Sequence, residues 1–116
     1  MNHNDHVDLI KPAFIDENPN ASFADFGAGS GAFTLALREV LGESATIYAV
    51  DKDKSSLREL ENSYATRFHS TTNLTTIQAD FSKTLTLPPL DGILMANLLH
   101  FFKDRVKVLQ HVKSFL

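Results

Sequence analysis

Short apolar runs alternate along this chain with segments of helical periodicity. Four runs have the length and the aromatic or β-branched content of buried strands, and they cover residues 23–26, 45–50, 74–79 and 92–96. Apolar residues at helical spacing follow the first two runs, over residues 31–41 and 53–68, and a last helical pattern covers residues 104–116. Strands that alternate with helices predict an α/β fold with a parallel sheet.

The connection between the third and fourth strands has no helical pattern. In a sheet of order 3-2-1-4, these two strands lie three spacings apart, about 14 Å. The segment 80–90 could extend to about 36 Å, so a loop can make this crossing. We therefore expect an open parallel sheet of order 3-2-1-4 with flanking helices.

The first twenty residues form a separate helical segment in this prediction. Val7, Leu9, Ile10 and Phe14 have helical spacing, and Pro12 should limit the length of the helix. His3 and His6 have no further metal ligand nearby in the sequence, so we expect them to be solvated and not a metal pair. No metal site is predicted. The predicted division is residues 1–20, the helical segment, and residues 21–116, the sheet domain.

Composition excludes several classes of function. The sequence has 116 residues, 43% of them hydrophobic, and a formal net charge of −3, as expected for one ordinary globular domain rather than a dedicated nucleic-acid binder. It has no cysteine, which excludes disulfides and thiolate chemistry. No apolar stretch approaches the ~20 residues of a membrane helix, and the polar N-terminus does not resemble a secretory signal. We expect a cytoplasmic protein without membrane or nucleic-acid partners.

The first strand ends in a turn with glycine at three alternate positions, Gly27, Gly29 and Gly31. Glycine permits backbone angles that are closed to other residues and lets a ligand approach the main chain. The N–H groups that open the next helix would face that ligand. A tight turn without a ligand explains the glycines equally well when they are considered alone.

Three acidic residues, Asp25, Asp51 and Asp80, lie at or just after the ends of the first three strands. The carboxyl ends of parallel strands line the ligand crevice of an open α/β sheet, so these side chains should face one site. Asp51 lies twenty residues after Gly31, where a carboxylate receives ribose hydroxyls. Three acids in register with a glycine turn favour a binding site over helix caps.

These residues resemble the class I S-adenosylmethionine-dependent methyltransferases. Residues 25–31 (DFGAGSG) match the family's acidic-x-Gly-x-Gly-x-Gly motif, and residues 48–51 (YAVD) are similar to its second strand with the ribose acid. Residues 78–81 (QADF) look like its adenine-edge motif, and residues 91–102 (DGILMANLLHFF) are similar to the fourth strand of small-molecule methyltransferases. The resemblance implies a Rossmann-like fold and S-adenosyl-L-methionine as the cofactor.

The resemblance also implies a role for each matching residue. Asp25 would lie near the ammonium group of the cofactor, with the backbone of Gly27, Ala28, Gly29 and Gly31 holding its methionine part. Asp51, with Lys52 beside it, would bind the ribose, and Asp80 would accept a hydrogen bond from the adenine amino group. Phe81 would lie along the adenine ring, and Asn97 would close the site beside the sulfonium.

The acceptor side of such a site is less well marked. His100 is the one candidate general base near the strand ends, although a packing role is the more frequent one for such a histidine. Leu98 and Leu99 follow Asn97 where nucleic-acid amino methyltransferases have a Pro-Pro-aromatic run, which favours a small-molecule acceptor. The family normally has seven strands, so we expect a sheet truncated before strand five.

Two other functions remain open at this stage. Gly27, Gly29 and Ala32 also fit the G-x-G-x-x-G/A pattern of an NAD(P)-binding oxidoreductase domain. An assembly module without catalysis is the other alternative, since strand four would form an apolar sheet edge able to pair with a second copy. Asp25 and the Asp80–Phe81 pair favour the methyltransferase, because dinucleotide folds usually have an apolar residue at the position of Asp25.

Overall fold

A computed structural model describes residues 2–14, 20–80 and 86–95. In this part of the chain, three helices accompany one sheet of four parallel strands, in the order β3-β2-β1-β4. The helices are α1 (His3–Phe14), α2 (Ala32–Leu41) and α3 (Lys54–Phe68); the strands are β1 (Ser22–Phe26), β2 (Thr46–Asp51), β3 (Leu74–Gln78) and β4 (Gly92–Leu94). The predicted Rossmann-like α/β fold and its strand order are confirmed.

Strand β1 is central, with β2 on one side and β4 on the other. Phe23 pairs in register with Ile47 of β2 and with Gly92 of β4. At the start of the strand, the Asp91 carboxylate accepts a hydrogen bond from the Ser22 N–H at 2.7 Å, which fixes where β4 begins. Covered on both edges and both faces, residues 23–26 are almost fully buried.

The two faces of the sheet carry separate apolar clusters. Phe23 and Ile47 pack on the face covered by α2, with Leu37 and Leu41 of that helix. Further along the same face, Ala49 packs against Leu57 and Leu60 of α3. The opposite face is built on alternate residues, as the two-residue period of a strand requires, and its buried members are Ala24, Phe26, Val50 and Leu90. Asp25 shares the parity of Phe23 and therefore points toward the helices.

Helix α1 differs from its prediction in two respects. It continues two residues past Pro12, to Phe14, although proline lacks the N–H that would bond to the carbonyl four residues earlier. The expectation that His3 is solvated is also wrong, since its side chain is only 12% exposed and Nε2 lies 3.6 Å from the Glu39 carboxylate. The ring of His6 packs edge-on against Phe33 of α2, with 4.6 Å between centroids.

Helix α3 begins directly after a residue that caps it with its side chain. Asp53 is the N-cap, and its carboxylate accepts hydrogen bonds from the Ser55 N–H at 3.0 Å and from the Ser56 hydroxyl at 2.9 Å. These hydrogen bonds, Ser55 first, hold the pKa of Asp53 below its usual value. The sequence also allows a capping box between Ser56 and Glu59, but Ser56 lies inside the first turn of the helix and not at its N-cap, so this box is not formed.

The far end of α3 is joined to the amino edge of the sheet. The Tyr64 hydroxyl donates to Asn73 Oδ1 at 2.7 Å, and Asn73 Nδ2 donates to the Ala45 carbonyl at 2.9 Å. Burial raises the pKa of Tyr64 to about 12, so the phenol keeps the proton that this bond needs. These hydrogen bonds lie at the amino edge of the sheet, opposite the carboxyl edge at which the glycine turn begins.

Some predictions fall outside the described residues. The last helix, from Asp104, lies there, as does residue 96 of the predicted fourth strand, of which Gly92–Leu94 is observed. Pairing through β4 stays a prediction, because the residues after Met95 are not described. None of the helices within the described residues combines the length and apolar character that a membrane crossing requires.

Gly31 allows the start of α2 to contact α3, and its replacement tests this packing. It has a φ of +101°, and a Cβ there would lie 2.6 Å from Cγ of Leu60, which is fully buried. Gly31→Ala should lower the free energy of unfolding by about 2–4 kcal/mol, because left-handed strain and overpacking add. Urea unfolding of the full chain measures this loss.

Gly29→Ala is the matched control, since Gly29 also has a positive φ, +57°, but no atom lies within 4 Å of a Cβ there. Strain alone should then cost about 1–2 kcal/mol. Equal losses in the two variants would show that Leu60 adjusts freely and that close packing does not require Gly31.

Candidate functional site at the carboxyl edge of the sheet

The glycine turn after β1 folds over the end of β2. The N–H groups of Gly27 and Ala28 both donate to the Val50 carbonyl, at 2.8 and 3.1 Å. The Gly31 N–H then donates to the Ala28 carbonyl at 3.1 Å, and α2 starts at the next residue. Gly31, the N-cap residue, provides no side-chain hydrogen bond to the helix. The turn is thus fixed by main-chain bonds.

Asp51 joins this turn to the start of α3. Its Oδ2 accepts a hydrogen bond from the Gly29 N–H at 2.9 Å, and its Oδ1 accepts one from the Asp53 N–H at 2.8 Å. A carboxylate oxygen has more than one acceptor direction, so both oxygens keep capacity for a donor from a ligand. The sequence pointed to Asp51 as a ribose acceptor but did not reveal that it also holds the glycine turn.

Asp25 is the buried acid of the site, with only 2% of its surface exposed. Thr34 Oγ1 on α2 donates to its Oδ2 at 2.6 Å. Burial raises the pKa of the Asp25 carboxyl to about 7; the Thr34 hydrogen bond lowers this pKa, and the charge of Asp51 raises it further. The effect of Asp51 places two of the three predicted acids close enough to interact electrostatically.

Thr34 was missed by the sequence reading. It is fully buried, and it continues the apolar stripe of α2, at Leu37 and Leu41, one turn toward the helix start. The available signal was therefore a hydroxyl residue at i, i+3 and i+7 spacing with two buried leucines. A buried hydroxyl needs a partner, and Asp25 is that partner.

The remaining predicted residues are only partly described. Asp80 is half-buried and lies after β3 at the same edge of the sheet, where the Ala79 N–H donates to the Asp51 carbonyl at 3.0 Å. Lys52 is exposed, and its carbonyl accepts from Gln78 Nε2 at 3.4 Å. The roles predicted for the other three concern residues outside the described part of the chain, namely Phe81, Asn97 and His100.

Two further observations bear on the chemistry of this edge. Within residues 2–14, 20–80 and 86–95, no three His, Cys, Asp or Glu side chains cluster in a way that could hold a metal ion. In the dinucleotide pattern, the third small residue allows a helix to pack closely on a strand. Ala32 is exposed and makes no such close contact, so the physical basis of that pattern is absent here.

Comparison with known proteins also points to a methyltransferase. A sequence model of a protein family described as "Methyltransferase domain" matches residues 24–116. No curated protein matches the chain. This family match covers every residue of the candidate site.

Solved structures with the same fold include several methyltransferases. Coclaurine N-methyltransferase, bound to N-methylheliamine and SAH, is 21% identical with a TM-score of 0.83, over 97% of this chain and 32% of its own. Magnesium protoporphyrin IX methyltransferase from Synechocystis PCC 6803, with bound SAM, is 17% identical with a TM-score of 0.80, over 98% and 54%. A SAM-dependent methyltransferase from Aquifex aeolicus is 22% identical with a TM-score of 0.76, over 96% and 57%.

The chain therefore spans between about a third and somewhat over a half of the length of these three proteins. Their likeness to it establishes the fold, and the family match establishes the relationship. This chain belongs to the methyltransferase domain family, and its fold is that of the class I S-adenosylmethionine-dependent methyltransferases.

Proposed function

We propose that this chain binds S-adenosyl-L-methionine at the carboxyl edge of its sheet and takes part in methyl transfer to a small-molecule acceptor. The observation that carries the proposal is the hydrogen bond from Gly29 to Asp51. It joins a glycine turn, over which a ligand can lie, to a carboxylate able to accept from ligand hydroxyls. Family membership and the cofactors named with two of the structural neighbours support the same reading.

The residues of this edge fit the cofactor. Among the described residues, no atom lies within 4 Å of a Cβ added at Gly29, so this part of the structure leaves space for a ligand to approach the main chain of the turn. Asp51 and Asp80 provide acceptors for ribose hydroxyls and an adenine amine, which are donors. Asp25 provides a buried carboxyl on the side of α2, suited to an ammonium group. Lys52, exposed beside Asp51, belongs to the same proposed binding set.

When bound, this cofactor supplies a methyl group already activated by a positively charged sulfur. The part left to the protein is mainly to bind and orient the reactants, which accounts for large rate effects in such displacements. A general base is needed only when the acceptor must lose a proton, and His100 is the proposed candidate. Phe81 and Asn97 complete the proposed cofactor contacts.

The proposal of a small-molecule acceptor depends on charge and on sequence. The net charge of −3, without a run of Lys or Arg, does not suit a polyanionic acceptor. Leu98 and Leu99 follow Asn97 in place of the run typical of nucleic-acid amino methyltransferases.

Calorimetric titration with two ligands tests the proposed class of cofactor. The full chain should bind S-adenosylhomocysteine, which presents the same adenosine and amino-acid groups, and should show no binding of NADH at matched concentrations. The exposed position of Ala32 supports this expectation, because close helix–strand packing at that position is absent. Tight NADH binding without a response to S-adenosylhomocysteine would replace the proposal with a dinucleotide-binding domain.

Asp51→Ala should weaken binding of S-adenosylhomocysteine by on the order of 10²-fold, more than Asp80→Ala does. Asp51 can accept from two hydroxyls, and each hydrogen bond to a charged group contributes roughly 1.5–3 kcal/mol. The variant also releases Gly29 from its bond, so the turn loses a restraint. Both variants should stay folded, since these residues are not in the apolar clusters. Affinity is measured by calorimetry.

Asp53→Ala is the matched control for this loss. It removes the side-chain cap of α3 but keeps the backbone N–H that Asp51 Oδ1 accepts. Stability should fall, because the N-cap of α3 is lost, with little change in affinity. An unchanged affinity in Asp51→Ala would remove this residue from the site.

A further inference from the structure

The contact between Asp25 and Thr34 has no part in the roles proposed so far. Asp25 is an almost fully buried acid, and the hydrogen-bond donor that it meets within the described residues is a neutral hydroxyl. The described residues form no ion pair with it. A buried acid with such a partner either keeps its proton or is costly to ionise.

The groups around Asp25 determine which form it takes. From α2 it faces the neutral Thr34, and from β4 its register partner is the apolar Leu94. From β2 its register partner is Ala49, and the charged residue of that strand that acts on it is Asp51. With burial and Asp51 opposing ionisation and Thr34 alone favouring it, the pKa of Asp25 is about 7.

We infer that the buried Asp25 carboxyl couples the binding of a cationic ligand to the release of one proton, and that Thr34 is the positioning residue that holds this carboxyl. The inference rests on the proposed function, because S-adenosylmethionine and its product carry an α-ammonium group. In the free protein, Asp25 is protonated in a large fraction of molecules near neutral pH. When the ammonium binds, the carboxyl ionises and its O–H proton passes to the solvent.

The sign of the pH dependence follows from this exchange. Binding requires the ionised carboxyl, so affinity should rise with pH up to about 7, with a limiting tenfold change per pH unit below that point. Above about pH 8 affinity should fall again, because the ligand's own ammonium loses its proton there. In the free protein the pKa is raised above the ordinary value of 3.8, so the folded state binds the proton more tightly than the unfolded one. Stability of the free protein should therefore fall as pH rises from about 4 to about 7.

Proton release is measured directly by titrating the full chain with S-adenosylhomocysteine in two buffers of different ionisation enthalpy. At pH 6.5 we expect release of roughly 0.7 protons per ligand bound, the protonated fraction of a group with a pKa near 7. Asp25→Asn should abolish this release. It should also remove the fall in stability between pH 4 and 7, which needs no ligand to be seen.

Variants of Thr34 separate positioning from packing. Thr34→Val keeps the shape but loses the hydroxyl that lowers the pKa of Asp25, so this pKa should rise further. Affinity at pH 6.5 should then fall about tenfold, while at pH 8.5 it should be close to that of the wild type. Thr34→Ser keeps the donor and should restore the wild-type profile. A role in packing alone would give the same loss at every pH.

The ligand's own amino group has an ordinary pKa of about 7.7–8.0. It affects all variants equally, so it cancels when the affinity of a variant is divided by that of the wild type at the same pH. Asp25→Asn is the reference that subtracts the pH dependence of every other group in the protein. Binding without proton release in the wild type, or release that persists in Asp25→Asn, would overturn the inference alone. Absence of binding at every pH would overturn the proposed function, and the inference with it.

Discussion

The hydrogen bond from the Gly29 N–H to the Asp51 carboxylate is the interaction on which the candidate site depends. It joins residues 22 positions apart, at the ends of the two neighbouring strands β1 and β2. Because the other oxygen of Asp51 accepts from Asp53, one carboxylate fixes both the glycine turn and the start of α3. The glycine turn and the start of α3 are therefore held in place by the protein itself, which lowers the entropy cost of binding a ligand there.

Asp25 is unfavourable in its charged form, whereas Asp51 stabilises the same site. A charged carboxylate at the end of a central strand is unfavourable in the empty protein, and burial is the main cause. Thr34 reduces this cost without removing it, since a hydroxyl cannot neutralise a charge. A site that is strained when empty and relieved by a cation discriminates in favour of cationic ligands. The proposed cofactor has this charge.

Much of this architecture could be predicted from local sequence patterns. The alternation of strands with helices and the position of Asp51 at the carboxyl edge follow from apolar runs and a glycine turn, which are short-range signals. The bond from Gly29 to Asp51 and the partner of Asp25 could not be read, because each joins residues on different elements. The cap of α3 is ambiguous in the sequence for another reason: Asp53 and Ser56 both fit the position, and the hydrogen bond from the Ser55 N–H to the Asp53 carboxylate identifies Asp53 as the cap. Phe81, Asn97 and His100 stay predictions.

The central claim is that the ligand binds at the carboxyl edge, over the turn that Asp51 holds. An amide nitrogen–proton NMR titration of the full chain with S-adenosylhomocysteine tests it most directly. The account predicts that the largest shifts occur at the amides of residues 27–31 and 51–53, with the Gly29 amide still protected from exchange. Shifts centred on the opposite edge, around Ala45 and Asn73, would contradict it.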